Sequence, residues 1–227
     1  MEMKAMFSDL TVLWKRWSEY RVVEQAFNRR IFRYLVPVPG ATEVTYNCAE
    51  HAEQMVADAL ELGRQLNMEG TDQDRLCADF AVRYGLLGPD VELGQAIGEE
   101  PDTPPPFRPV GTIEYGEDMD SFQKEFKHLY QHFLHANGEG ETPVGELTGL
   151  LPYRLTAGRT PQLIWEIKSL ESVLRLTYAA LITAPSRSLK ICKNCGRVYY
   201  NPRAKSEFCS TRCRNYYNVK MYRERER

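Results

Sequence analysis

A mainly α-helical chain, ending in a small cysteine-rich module, is what this sequence predicts. Two observations lead there. Apolar residues recur at three- and four-residue spacings through several long stretches, the pattern of a helix with one buried face. Four of the six cysteines crowd into residues 191–222, as Cys192-x2-Cys195 and Cys209-x3-Cys213. Residues 1–186 are read as one helical domain with an acidic, Pro-rich loop at about 88–120, and 187–227 as the cysteine module with a basic terminal helix.

The helices are justified in order. Residues 8–35 hold Leu10, Leu13, Trp14 and Trp17 at helical spacing, then Val23, Ala26, Phe27, Phe32 and Tyr34 less cleanly. Arg29, Arg30 and Arg33 would complement that helix's C-terminus, and Pro37 and Pro39 stop it. Asn47 with Glu50 three residues later reads as a capping box for a helix whose apolar face is Ala52, Met55, Val56, Ala59, Leu60 and Leu66. Thr71 is the expected cap of a shorter helix over 72–84, with Leu76, Cys77 and Phe80 inward and Gly85 as its stop. Beyond the loop, where Val110 to Tyr115 suggests a short strand, Ser121 begins a helix with Phe122, Phe126, Leu129, Tyr130 and Phe133 on one side. His128, His132 and His135 fall on its other side, read as a solvated face rather than a metal site. Asn137-Gly138 ends it. A short strand is expected within 149–158. Thr160 and Pro161 then start the most apolar helix, over 160–183, which is expected to be the central one.

The cysteine spacing has a mechanical reason. A Cys-x-x-Cys turn followed by Gly196 points two thiolates at one ion, and Cys-x-x-x-Cys spans about one helical turn, so the second pair reaches the same ion from a helix start. Ser210 or Thr211 would cap that helix, and its dipole would favour the thiolates. Between the pairs, Arg197 to Tyr200 alternates like a strand, and Asn201-Pro202 breaks it. Knuckle, hairpin and helix make a treble-clef plan. The ligand set expected for Zn2+ is Cys192, Cys195, Cys209 and Cys213; two disulfides or four scattered buried thiols are the alternatives, but paired short spacings are the zinc pattern. Cys48 and His51, one turn apart, lack any third orienting group and are read as structural.

Charge divides the chain. The net charge is −2, yet residues 187–227 hold twelve Lys/Arg against three Glu, leaving an acidic remainder. A basic tail on an acidic body points to nucleic acid or to an acidic surface, which includes the protein's own. No apolar run reaches the ~18 residues of a membrane span. The N-terminal residues lack a signal-peptide pattern, so a cytoplasmic protein without membrane association is expected.

On Cys192, Cys195, the aromatic strand 198–200, Phe208-Cys209-Ser210, Cys213, Asn215 and the basic run to Arg227, the segment resembles the bacterial CGNR-type zinc fingers. The resemblance implies a treble-clef-like module after a helical domain of the ABATE kind, thought to sense stress or ligands, with DNA as the finger's presumed partner. The chain departs from the pattern in reading Cys213-Arg214-Asn215, and in lacking a Leu-Asp-Leu-Val-Asn-Thr-like motif near its start.

Two functions follow as expectations. In one, the chain is a nucleic-acid-binding regulator, with Arg197, Arg203, Lys205, Arg212, Arg214, Lys220, Arg223 and Arg225 meeting phosphates. Arg214 and Asn218 are its candidate base readers, Tyr216 and Tyr217 cover the zinc, and the acidic body senses or dimerises. In the other, the module is structural or docks on an acidic protein partner, and its arginines pair with Glu99, Glu100, Glu117 or Asp118. An enzyme is not expected, because a closed four-thiolate site offers no open position to substrate or water.

Overall fold

The computed structural model describes residues 11–88, 108–111, 113, 115–140, 145–148, 153–157, 159–160, 163–165, 167–186, 188–202 and 206–225. It corrects the fold class: the chain is mixed α/β, not mainly α. Where a helix was expected over 8–35 there are three strands, β1 (Leu13–Trp17), β2 (Tyr20–Phe27) and β3 (Arg30–Pro37).

The physical reason lies in pairings that local spacing does not reveal. β2 and β3 form a hairpin in full register from Tyr20↔Pro37 to Phe27↔Arg30. Its two-residue turn is Asn28-Arg29, with φ of 47° and 64°. That left-handed pair matches the twist of the flanking strands, and Asn is among the residues that tolerate it. Arg29 and Arg30 are therefore turn and strand residues, and Arg33 is paired with Asp74. β1 pairs antiparallel with β4 (Glu43–Asn47), thirty residues away. Trp14 Nε1 donates to the Leu86 carbonyl (2.9 Å), Arg16 to that of Val82, and Tyr46 Oη to that of Tyr84. These bonds fix β1 and β4 to the end of a helix that follows them.

β3 is buried on both faces at Tyr34, Leu35 and Val36. Alternate side chains of a strand point to opposite faces. Leu35 enters the main core, whereas Tyr34 and Val36 join Ile113 in a smaller one. A third strand, β5 (Glu117–Asp118), pairs with β3 through Leu35↔Glu117. The expected strand at Val110 to Tyr115 is reduced to a bridge, Val110↔Ile113.

The helical half keeps closer to expectation. α1 (Ala52–Leu66) buries the anticipated Ala52, Met55, Val56, Ala59, Leu60 and Leu66. Asn47 closes β4 and its amide donates to Glu50, while His51 stands at the cap without a side-chain bond, so the capping box is displaced from the helix start. α2 (Gln73–Tyr84) is capped by Asp72 rather than Thr71, whose hydroxyl instead donates to Gln65 and Met68 carbonyls. α3 (Met119–Ala136) starts at Asp118, which accepts from Ser121 N, and buries Phe122, Phe126, Leu129 and Phe133. His132 is not simply solvated, because its Nδ1 lies 2.7 Å from the hydroxyl of the buried Tyr178.

The stretch 160–183 is corrected as well. Its first part includes β7 (Leu163–Trp165), paired with β6 (Tyr153–Leu155), and the helix α4 (Leu170–Thr183) begins only where Ser169 Oγ accepts from Ser172 N. The central helix is α1, not this one. α1 packs on α2, α3 and α4 at once. At Gly63 an added Cβ would sit 2.1 Å from the Phe126 carbonyl oxygen, so α1 and α3 approach closely only because that position lacks a side chain. Arg175 joins α4 to α3 by a two-pronged pair with Glu125 (2.8 and 2.6 Å).

Glu117 is a buried carboxylate whose Oε2 accepts from Leu87 N (2.7 Å) and Gly88 N (3.3 Å). Burial pushes its carboxyl up to about 8, with the two N–H donors opposing that shift. The folded state therefore holds a proton that the unfolded chain gives up near 4.5, so stability should fall as pH rises across about 4.5–8. In Glu117→Gln, that fall should be removed, because the amide oxygen still accepts both N–H groups. Urea unfolding of both proteins across that pH range measures it.

Candidate metal centre

Two short strands set the first half of the site. β8 (Leu189–Ile191) and β9 (Val198–Tyr200) pair antiparallel, with Ile191 opposite Val198. The knuckle between them is closed by Gly196 N donating to the Cys192 carbonyl (2.8 Å) and Cys192 N donating to that of Arg197 (2.9 Å). Gly196 takes φ of 71°, a conformation that side-chain-bearing residues rarely adopt. The second half is the start of α5 (Thr211–Arg225). Ser210 caps it, its hydroxyl accepting from Cys213 N and its carbonyl from Arg214 N, which selects between the two expected caps. Lys193 N donates to the Glu207 carbonyl (3.0 Å) and joins the halves.

This arrangement gathers all four cysteines. The sulfurs of Cys192, Cys195, Cys209 and Cys213 lie within 4.8 Å of one another and can hold a metal ion. Three of the separations are 3.7 Å (Cys195–Cys209), 3.6 Å (Cys209–Cys213) and 3.7 Å (Cys213–Cys195). Four sulfurs at about 2.3 Å from a tetrahedral ion stand about 3.8 Å apart, so the cluster has the dimensions of one such site. These are free cysteines, and Cys48 and Cys77 are buried separately. The Cys48 thiol donates to the Val12 carbonyl, and its burial pushes its pKa up to about 11, as expected of a structural residue.

The sulfurs differ electrostatically. Burial pushes Cys192 upward, but backbone N–H groups of Cys209, Cys195 and Asn194 outweigh it and bring the thiol down to about 6. Cys213 is also lowered, chiefly by the Ser210 hydroxyl. Cys209 goes the other way, up to about 12, through burial and the neighbouring sulfurs. Thiols this close cannot all ionise together unless a cation balances them.

The site is fastened to the body by a contact the sequence did not suggest. Glu61, on α1 and buried, accepts from Val198 N on β9 (3.1 Å). The same carboxylate accepts two bonds from Arg64 (2.9 and 2.7 Å) and one from Gln65. Leu189 and Val198 themselves enter the main core. A Glu in the middle of an otherwise apolar helical face was the available signal.

The basic residues fall into two groups. Arg197, Arg212, Arg214, Asn218, Lys220, Arg223 and Arg225 are exposed. Arg203 and Lys205 lie outside the described residues, as do Glu99 and Glu100. Arg214 reaches Ser206 Oγ (3.4 Å) and lines an open surface depression of about 330 Å³ with Glu207 and Phe208. Of the two tyrosines expected over the metal, only Tyr217 is half-buried, its ring tilted against that of Phe208 with centroids 5.2 Å apart; Tyr216 is 70 % exposed.

Comparison of the chain with family models, with curated proteins and with solved structures finds no match in any of the three. What stands is the class of site, a four-cysteine cluster able to hold a metal ion. No helix among the described residues is long and apolar enough to cross a membrane.

Replacing Glu61 by Ala should leave the Val198 N–H and the Arg64 guanidinium without their acceptor and lower the unfolding free energy by about 3 kcal/mol. Glu61→Gln should recover part of this by accepting from Val198 N. Denaturant unfolding of the three proteins compares them.

Proposed function

We propose that the chain is a zinc-binding regulator that binds nucleic acid, with DNA as the expected partner, through its C-terminal finger. The metal is Zn2+ because four soft thiolates at tetrahedral spacing suit it, and a closed set of sulfur ligands is structural rather than catalytic. The finger is of the CGNR type, as the residues from Cys192 to Asn215 resemble it, and the body serves as its sensor or oligomerisation part.

One observation carries the nucleic-acid reading. α5 has no buried residue, and its five cations, Arg212, Arg214, Lys220, Arg223 and Arg225, face a single Glu224. Among the described residues, none of the five is ion-paired with a carboxylate. The competing reading would tie these arginines to Glu99, Glu100, Glu117 or Asp118, the first two of which lie outside the described residues. Glu117 is instead committed to Leu87 and Gly88, and Asp118 to the cap of α3. In the proposed complex the cations meet phosphates and Asn218 is presented to base edges.

Purified protein should carry one equivalent of zinc per chain, measured by elemental analysis, and Cys192→Ser or Cys209→Ser should lose it. Binding of labelled oligonucleotides should weaken with salt, log K falling by about 0.9 per phosphate neutralised on a duplex and about 0.7 on a single strand. Binding that is absent, or indifferent to salt, overturns the nucleic-acid reading and leaves the zinc claim standing.

A further inference from the structure

The outward face of α5 carries more than charge. Tyr216 and Val219 are 70 % and 50 % exposed and lie about 60° apart around a helix that is otherwise strongly polar. At about 100° per residue, Arg212, Lys220 and Arg223 all lie within about 40° of Tyr216 around the helix axis. The inner face belongs to Cys213, Tyr217 and Met221, each half-buried. The aromatic ring of Tyr216 is thus framed by three cations and largely open to solvent. Large exposed apolar side chains clustered on a soluble protein mark a place where something binds.

We infer that this face takes an unpaired nucleic-acid strand, with a base stacked on Tyr216 and the flanking phosphates held by Arg212, Lys220 and Arg223. The inference rests on the nucleic-acid reading above and specifies its substrate class. The cations complement a polyanion, as either kind of nucleic acid would require. The Tyr216 ring decides between them. In a duplex the base faces are stacked on one another and closed to a side chain, whereas an unpaired strand offers a π-face at every base.

The test uses the full-length, zinc-loaded protein. Fluorescence anisotropy compares a labelled oligo-dT, an oligo-U of the same length, and a DNA duplex, for the wild type and for Tyr216→Ala, Tyr216→Phe and Arg212→Ala/Arg223→Ala. Zinc content and circular dichroism confirm that each variant is folded. The expected result is that the single strands bind more tightly than the duplex. Tyr216→Ala should lose about tenfold or more in single-strand affinity, with an unchanged salt slope, and Tyr216→Phe should keep most of it. The double arginine variant should weaken binding to every nucleic acid and flatten the salt slope. Preference for the duplex, with Tyr216→Ala indifferent, overturns the unpaired strand and leaves the nucleic-acid reading in place. No binding to any of the three overturns both. A dimer in sedimentation that Tyr216→Ala dissociates would assign the face to a second copy of the chain and overturn the inference.

Discussion

A single buried carboxylate joins the two halves of this protein. Glu61 sits in the apolar face of the central helix, where an unpaired charge would cost several kcal/mol. It is tolerated because Arg64, Gln65 and the Val198 N–H all donate to it. The last of these donors belongs to the hairpin that carries Cys192 and Cys195. The position of the metal-binding knuckle is thus set from α1, and the hairpin's own apolar residues, Leu189 and Val198, complete the core around the bond. The module does not have to supply a core of its own, which three-residue strands and one exposed helix could not provide.

From that anchor the site is built outward in order of decreasing burial. Cys192 is buried, Cys209 and Cys213 are half-buried, and Cys195 is exposed. The helix that follows has no buried residue, and only Cys213, Tyr217 and Met221 along one side of it are half-buried. The four sulfurs come two from each end of this short segment, so a metal ion held by them would fix the direction of the helix.

The strands of the first forty residues show where local pattern fails. Leu13, Trp14 and Trp17 satisfy helical spacing, yet Leu13 is exposed and the two tryptophans pack from a strand whose partner is β4. Tyr34, Leu35 and Val36 form a continuous apolar run because β3 separates two cores and is covered on both faces. A strand buried on both sides loses the alternation by which strands are recognised, and a short apolar run then reads equally well as helix. The Asn28-Arg29 turn was the missed local cue. Leu163–Trp165 likewise owes its strand character to a pairing with a distant segment, Tyr153–Leu155.

What the sequence determined by itself were the features that depend on near neighbours. The cysteine spacing, the glycine of the knuckle and the apolar faces of α1 and α3 each act within a turn or two, so composition and order suffice to read them. What only the tertiary structure decided were the pairings between distant segments: strand with strand in the first half, and Glu61 with Val198 at the joint. It also decided which side of α5 is covered, and so left Tyr216 outside with the cations. Burial of that kind depends on what the rest of the chain brings alongside, and no local spacing encodes it.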